Sequence, residues 1–214
     1  TISPHKFASI LVVSRETIES GNAEALVRQA LLDSTGPSLD RRLFDANPAV
    51  PDLRPAGLLN GISPLTPASG SGSGKSDALQ DDLQALLTAI APVAGNGGAV
   101  LIAAPAQAVA IALRLPTPLS SYPILASTSL AAGTVIAVAT NGVAAAVGSA
   151  PQIDVTKAAT LQMSDTPQPI ASGGTMTGPT VVTWQNDTLG LRLRWPISWV
   201  LRDPRAVAFM NVNW

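Results

Sequence analysis

The sequence predicts an α+β protein, and three observations carry that reading. Early in the chain apolar residues recur at helical spacing: Leu26, Val27, Ala30 and Leu31, then Leu39, Leu43 and Phe44. A second set, Leu79, Leu83, Leu86, Leu87 and Ile90, lines one face of a helix over residues 77–90. Late in the chain the period drops to two. In TLGLRLRW, Leu189, Leu191, Leu193 and Trp195 share one face, and Gly190, Arg192 and Arg194 share the other.

Taken in order, KFASILVVS (residues 6–14) is a strand that ends on a cap signal, Ser14 ahead of Arg15-Glu16-Thr17. A helix starts at Asn22. Gly36-Pro37 lies inside it and predicts a kink or break, because proline removes a helix hydrogen bond. NPAVPDLRPAG is a proline-rich connector. The helix over 77–90 opens with Asp77 and Gln80 at capping-box spacing. Residues 99–103 form a buried strand, and 105–113 a helix with proline at its start. Residues 133–139 are a further strand, and 141–147 a short helix. IDVTKAATLQMSD is strand-like, and residues 171–179 are a mobile Gly/Thr-rich segment. Pro196 interrupts the alternating strand; ISWVL and AVAFMNVNW follow as separate strands. All four tryptophans lie in this last segment. There is no internal repeat.

Composition narrows the function classes. The 214 residues suffice for one domain or two small ones. Hydrophobic residues make up 46% and charged residues 13%, the latter about half of the roughly 25% usual in soluble domains. Such neutral surface suits a subunit that buries it against neighbours. With 13 basic and 14 acidic residues the net charge is −1, so no overall field draws in nucleic acid or an anionic membrane. Cysteine is absent, which excludes a disulfide framework, a thiolate nucleophile and a Cys-based zinc site. No signal peptide is visible. The apolar run over 99–115 is broken by Pro105 and Gln107 and falls short of the ~20 residues a membrane helix needs.

Four stretches of the sequence are candidate sites. Gly74-Lys75-Ser76 ends a glycine-rich run, SGSGSGKS, before a helix, and raises the prospect of a nucleotide-binding protein built on Lys75 and Ser76. A phosphate loop needs G-x-x-x-x-G-K-[ST] directly after a buried strand. Here the first glycine position is Ser69, and two prolines, Pro64 and Pro67, precede it, so a linker is the better reading. Asp77, Asp81 and Asp82 could be offered as metal ligands, but carboxylates in a first helical turn are favoured by the helix dipole, and a solvated face explains them. The single histidine, His5, reads as a surface residue without a partner. Arg192, Arg194, Arg202 and Arg205, interleaved with Trp195 and Trp199, suit a solvated or subunit-facing strand, with arginines meeting carboxylates on a neighbour, better than a nucleic-acid surface. No catalytic, cofactor or metal constellation survives.

The ordered features resemble the C-terminal part of the major capsid proteins of tailed bacteriophages and prophages with the Hong Kong 97 fold. KFASILVVSRETIES, the helix from Asn22 and LDRRLFDANPA resemble a family run closing on an "lD..lf.g" pattern. The turn Arg54-Pro55-Ala56-Gly57-Leu58-Leu59 follows, like the family's "p.Gil". GTVIAV resembles the family's "Gtvi.id" strand. SAPQIDVTKAATLQMSD and TWQNDTLGLRLRWPISWVLRDPRAVAFMNV resemble its closing pattern. The interruption at Gly36-Pro37 departs from the family's long spine helix, and the loop over 63–76 matches nothing in it.

This resemblance implies a peripheral domain from residues 1–55 (strand and spine helix) and 151–195 (long strands), and an axial domain from 56–150 with 196–214 returning to it. It places the family's N-terminal arm and extended loop before Thr1. It implies a non-enzymatic virion subunit, assembled in the bacterial host cytoplasm, that forms pentamers and hexamers with copies of itself and encloses DNA. Scaffold, maturation protease and portal are the implied partners; sequence-specific nucleic-acid binding, membranes and cofactors are not. Arg192, Arg194, Arg41 and Arg42 are the expected subunit-interface residues. The family's lysine–asparagine crosslink has no counterpart to carry over onto these residues. Encapsulin-like compartment shells share the fold and are the nearest alternative.

Overall fold

A computed structural model describes residues 2–19, 23–68, 75–95, 98–114, 122–163, 171–172, 175–176, 178 and 180–214. The first half contains β1 (Lys6–Ser14), α1 (Arg15–Glu19), α2 (Ala23–Leu43), α3 (Lys75–Ala94), β2 (Ala99–Ala103) and α4 (Pro105–Arg114). Then come β3 (Ile124–Ala126), β4 (Thr134–Ala139), β5 (Val143–Val147), β6 (Gln152–Thr156) and β7 (Thr160–Gln162). The chain closes with β8 (Ala171–Ser172), β9 (Thr175–Met176), β10 (Thr180–Val182), β11 (Thr188–Leu201) and β12 (Val207–Asn211). Two compact units result. One holds Thr1–His5, Pro37–Val147 and Ile197–Trp214; the other holds Lys6–Gly36 and Gly148–Pro196. Residues 37–55, expected with the first strand and helix, cluster instead with the larger unit.

The larger unit is built on a sheet in the order β12-β4-β2-β3. Only the β2–β3 pair is parallel. Every residue of β4 is buried, so this strand has to be apolar on both faces and needs cover on both. One face carries Leu101, Val135, Ala137 and Met210 and packs on Leu79, Leu83, Leu86 and Ile90 of α3 and Ile111 of α4. The other carries Ile102, Ile136, Val138 and Val207 and packs on Leu59, Phe44 and Ile62. That second cover is not a helix but the proline-rich connector over residues 44–65. The Leu58 amide donates to the Leu43 carbonyl (2.8 Å) and the Leu59 amide to that of Asp45 (3.2 Å), folding the connector back on itself. Its tip closes at the Val50–Arg54 bridge. The Trp199 indole N–H donates to the Ala56 carbonyl at 2.8 Å, satisfying a ring that is otherwise buried.

In the smaller unit β11 lies between β1 and β6, both antiparallel to it. Leu191 and Leu193 are buried against Leu31 and Val27 of α2 and Phe7 and Leu11 of β1. The period-two reading of this strand therefore holds. The Ser14 hydroxyl accepts from the Thr17 amide at 3.3 Å, the expected cap of α1.

Three expectations are corrected. β11 runs unbroken through Pro196. Before the proline it pairs with β1 and β6; after it, Ile197–Leu201 pairs with β5. The missing N–H thus falls where the partners change, a place where a strand tolerates proline. Residues 143–147 are not a helix but β5, following a 3-10 turn at Thr140–Gly142. Pairing with β11 outweighs the modest helix preference of three alanines. Of the kink or break expected at Gly36-Pro37, the break is absent: α2 runs as one helix from Ala23 to Leu43. A residue before proline resists helical backbone partly through its Cβ, and Gly36 has none. The Pro196 reading failed by letting a local breaker outrank strand pairing. Of the Gly/Thr-rich segment over 171–179, residues 173–174, 177 and 179 lie outside the described residues, while Ala171–Ser172 and Thr175–Met176 pair antiparallel as β8 and β9.

Gly57 is a close-approach position. A Cβ there would run into the main-chain carbonyl of Asp45. Because that carbonyl also accepts from the Leu59 amide, it cannot shift freely. Gly57→Ala is expected to lower stability by about 2 kcal/mol or more, read as a lower urea midpoint with unchanged slope. An unchanged midpoint would mean the connector is not the sheet's second cover.

Candidate subunit interface

The expected interface arginines fall into two groups. Arg192 and Arg194 project from the outer face of β11, opposite the leucines that enter the core. Register sets Arg192 directly across from Asp154 of β6, and Arg194 across from Gln152. The Arg192 guanidinium donates to Asp154 Oδ2 at 3.0 Å. Arg194 Nε lies 3.1 Å from the same oxygen, and its Nη2 donates to Gln152 at 3.4 Å. The carboxylate sought for these arginines on a neighbour is thus already supplied within the chain. Ile10 and Ala8 of β1 flank the arginines on the same face, since directly opposed residues point the same way. Arg41 and Arg42 sit exposed in the last turn of α2, where cations suit the helix dipole. Neither has a hydrogen bond or ion pair among the described residues.

The remaining candidates resolve into structural roles. Residues 69–74 of the glycine-rich run lie outside the described residues. Helix α3 starts at Lys75, and no strand directly precedes the run among the described residues; Leu65 makes only an isolated bridge to Met210. Asp81 is exposed as expected, but Asp82 is not on a solvated face. It is buried, accepting from the Ala68 amide at 2.6 Å and from the Trp214 indole at 2.8 Å. Among the described residues no group of His, Cys, Asp and Glu could hold a metal ion. His5 does have a partner: its Nδ1 lies 3.1 Å from the buried Ser198 hydroxyl and 2.9 Å from the Ser3 carbonyl. That hydroxyl donates to Ser3 as well, so the three groups tie residues 3–5 to β11. Arg205 pairs with Asp203 beside the 3-10 turn at Pro204–Ala206. No described helix is long and apolar enough to cross a membrane.

The fold is one found in phage particles. A chain from Mycobacterium phage Bobi superposes with a TM-score of 0.69 at 14% identity, covering 100% of this chain and 73% of that one. A chain from the capsid of an empty GTA particle computed with C5 symmetry gives 0.56 at 12% identity, covering 100% and 73%. No family model matches the sequence. The sequence is, however, 28% identical over 238 aligned positions to the capsid polyprotein of Pseudomonas phage PAJU2. That match takes in 100% of this chain and 34% of the polyprotein, so the chain spans about a third of its relative's length. The resemblance to phage capsid proteins read from the motifs is borne out.

Two outcomes test the internal contacts. Asp82→Ala would strand the Trp214 indole and the Ala68 amide, and is expected to cost about 2–4 kcal/mol by denaturant unfolding. Asp154 titrates below its ordinary 3.8, first because of the Arg192 hydrogen bond, with desolvation opposing and the charges of Arg194 and Arg192 adding to the lowering. A depressed folded pKa means the stabilisation is complete above the unfolded value and is lost as pH falls through the folded one. The stability gap between wild type and Asp154→Asn should be full at about pH 6 and close as pH drops below about 4. A gap independent of pH would exclude the ion pair as its source.

Proposed function

We propose that this chain is a structural subunit of a phage or prophage capsid, assembling with copies of itself into a closed shell around DNA. The observation that carries this reading is likeness along the whole chain to part of a phage capsid polyprotein. The fold shared with a chain of the GTA capsid supports it independently. On this reading the architecture is Hong Kong 97-like. The larger unit is the axial domain, now including residues 37–55, and the smaller unit is the peripheral domain with the start of the spine helix and the long strands. The shell is icosahedral and built from pentamers and hexamers. Scaffold, maturation protease and portal act with it in the host cytoplasm, and the product resides in the virion. Its role is non-enzymatic.

The physical chemistry fits this role. A charged share of 13% leaves much neutral surface for neighbours. Arg41 and Arg42 are free to meet carboxylates of another copy, and Arg192 and Arg194 offer donors beyond those that Asp154 takes.

Electron microscopy of the full-length natural product, expressed with its scaffold, should show closed shells or rings of five and six. Only small monodisperse particles would overturn the shell reading. Replacing Arg41→Glu and Arg42→Glu together should cut particle yield roughly tenfold. Unfolding of the unassembled chain should stay within about 0.5 kcal/mol, as for exposed positions generally.

A further inference from the structure

Helix α4 is polar on the wrong side. Its sequence, PAQAVAIALR, holds two polar residues, Gln107 and Arg114. Gln107 is buried: its amide oxygen accepts from the Gly133 amide at 3.1 Å, and its amide nitrogen donates to the Trp214 carbonyl at 3.4 Å. The outward positions are apolar. Val109 is 57% exposed and Leu113 is 80% exposed, one turn apart on the same side. A helix apolar all round is ordinarily covered on every side. Arg114, at the end of this stripe, is exposed and has no ion pair among the described residues.

A second patch lies on the connector of the same unit. At its tip Val50 is 38% and Leu53 55% exposed. Between them Asp52 is exposed and likewise has no partner among the described residues. The tip is held in shape by the Val50–Arg54 bridge and the Arg54–Asp45 ion pair of 2.9 Å. It is a formed surface, with Asp52 held at φ 59.

These patches complement each other in chemistry and placement. Each has two exposed aliphatic side chains and one unpaired charge, of opposite sign. Helix α4 packs on one face of the β12-β4-β2-β3 sheet, while the connector is rooted on the other through Phe44, Leu59 and Ile62. Patches on opposite faces of one sheet can meet only between two molecules. We propose that the α4 stripe of one copy packs against the connector tip of the next, with Arg114 meeting Asp52, as a head-to-tail contact that repeats around a ring. This rests on the shell reading above and names a surface for it. The occupant is a second copy because the two patches set opposite charges together, Arg114 with Asp52, whereas contact of either patch with itself leaves its charge without an opposite partner.

These 214 residues hold no cysteine, which makes the contact directly testable once any cysteine elsewhere in the full-length product is replaced by serine. Leu53→Cys and Leu113→Cys are introduced singly and together into the full-length product, and assembled particles are oxidised with copper-phenanthroline. A disulfide forms only where the two Cα atoms come within about 7 Å. The double variant is expected to give a ladder of covalent species on a denaturing non-reducing gel, ending at five or six chains, and each single variant to remain monomeric. As a second readout, Arg114→Asp and Asp52→Arg should each lower particle yield roughly tenfold, and the double exchange should restore it. Normal particles with no ladder, or dimers from either single variant, would overturn this contact while leaving the shell reading intact. Failure of the wild type to form any shell would overturn both.

Discussion

Strand β4 has no exposed residue, and much of the larger unit follows from that. A strand buried on both faces can carry no side chain that needs water, so TVIAVA is apolar except at its first threonine. It also demands two covering layers. The helical layer comes from α3 and α4, whose leucines and isoleucines reach one face. Among the described residues an irregular segment, the connector over 44–65, covers the other face. An irregular segment buried against a sheet must satisfy its own backbone groups. This is why the connector folds back on itself, why it carries Gly57 where a side chain would collide, and why an indole reaches across to the Ala56 carbonyl.

The smaller unit solves an easier problem. Its sheet is covered on one face by α2, and the leucines of β11 point there. Its other face is only partly covered, by Leu161 of β7, whose side chain lies over Gly190. The rest of that face carries Arg192, Arg194 and Asp154 beside Ile10 and Ala8. Charges that pair across neighbouring strands cost little solvation, so such a face stays compatible with water while keeping donors available.

Low charge density and internal pairing together shape what the surface can do. Asp45, Asp154, Asp187 and Asp203 each meet an arginine within the chain. Asp82 is consumed in holding Trp214 and the segment ending at Ala68. With a net charge of −1 little field acts at a distance, and recognition falls to neutral area and individual unpaired groups. That is the surface expected of a molecule that works by contact with many neighbours.

Much of the fold was legible in sequence because periodicity reports burial directly. The alternation in TLGLRLRW and the leucine stripe of α3 each named a core face that the structure contains. Ser14 as a cap and Pro105 at a helix start were readable because they act over a few residues. The candidate arginines were readable as exposed, yet not as paired, since the partner of Arg192 is 38 residues away and only strand register brings it opposite. Asp82 was misread for the same reason: helix position suggested solvent, while Trp214, 132 residues away, decided burial. The sequence by itself determined which residues must avoid water, where local caps fall and which protein class the chain resembles. Tertiary structure alone decided that β11 passes through Pro196 and that residues 143–147 pair as a strand. Local preferences of about 1–3 kcal/mol were outweighed there by pairing and burial that exist only once distant segments meet.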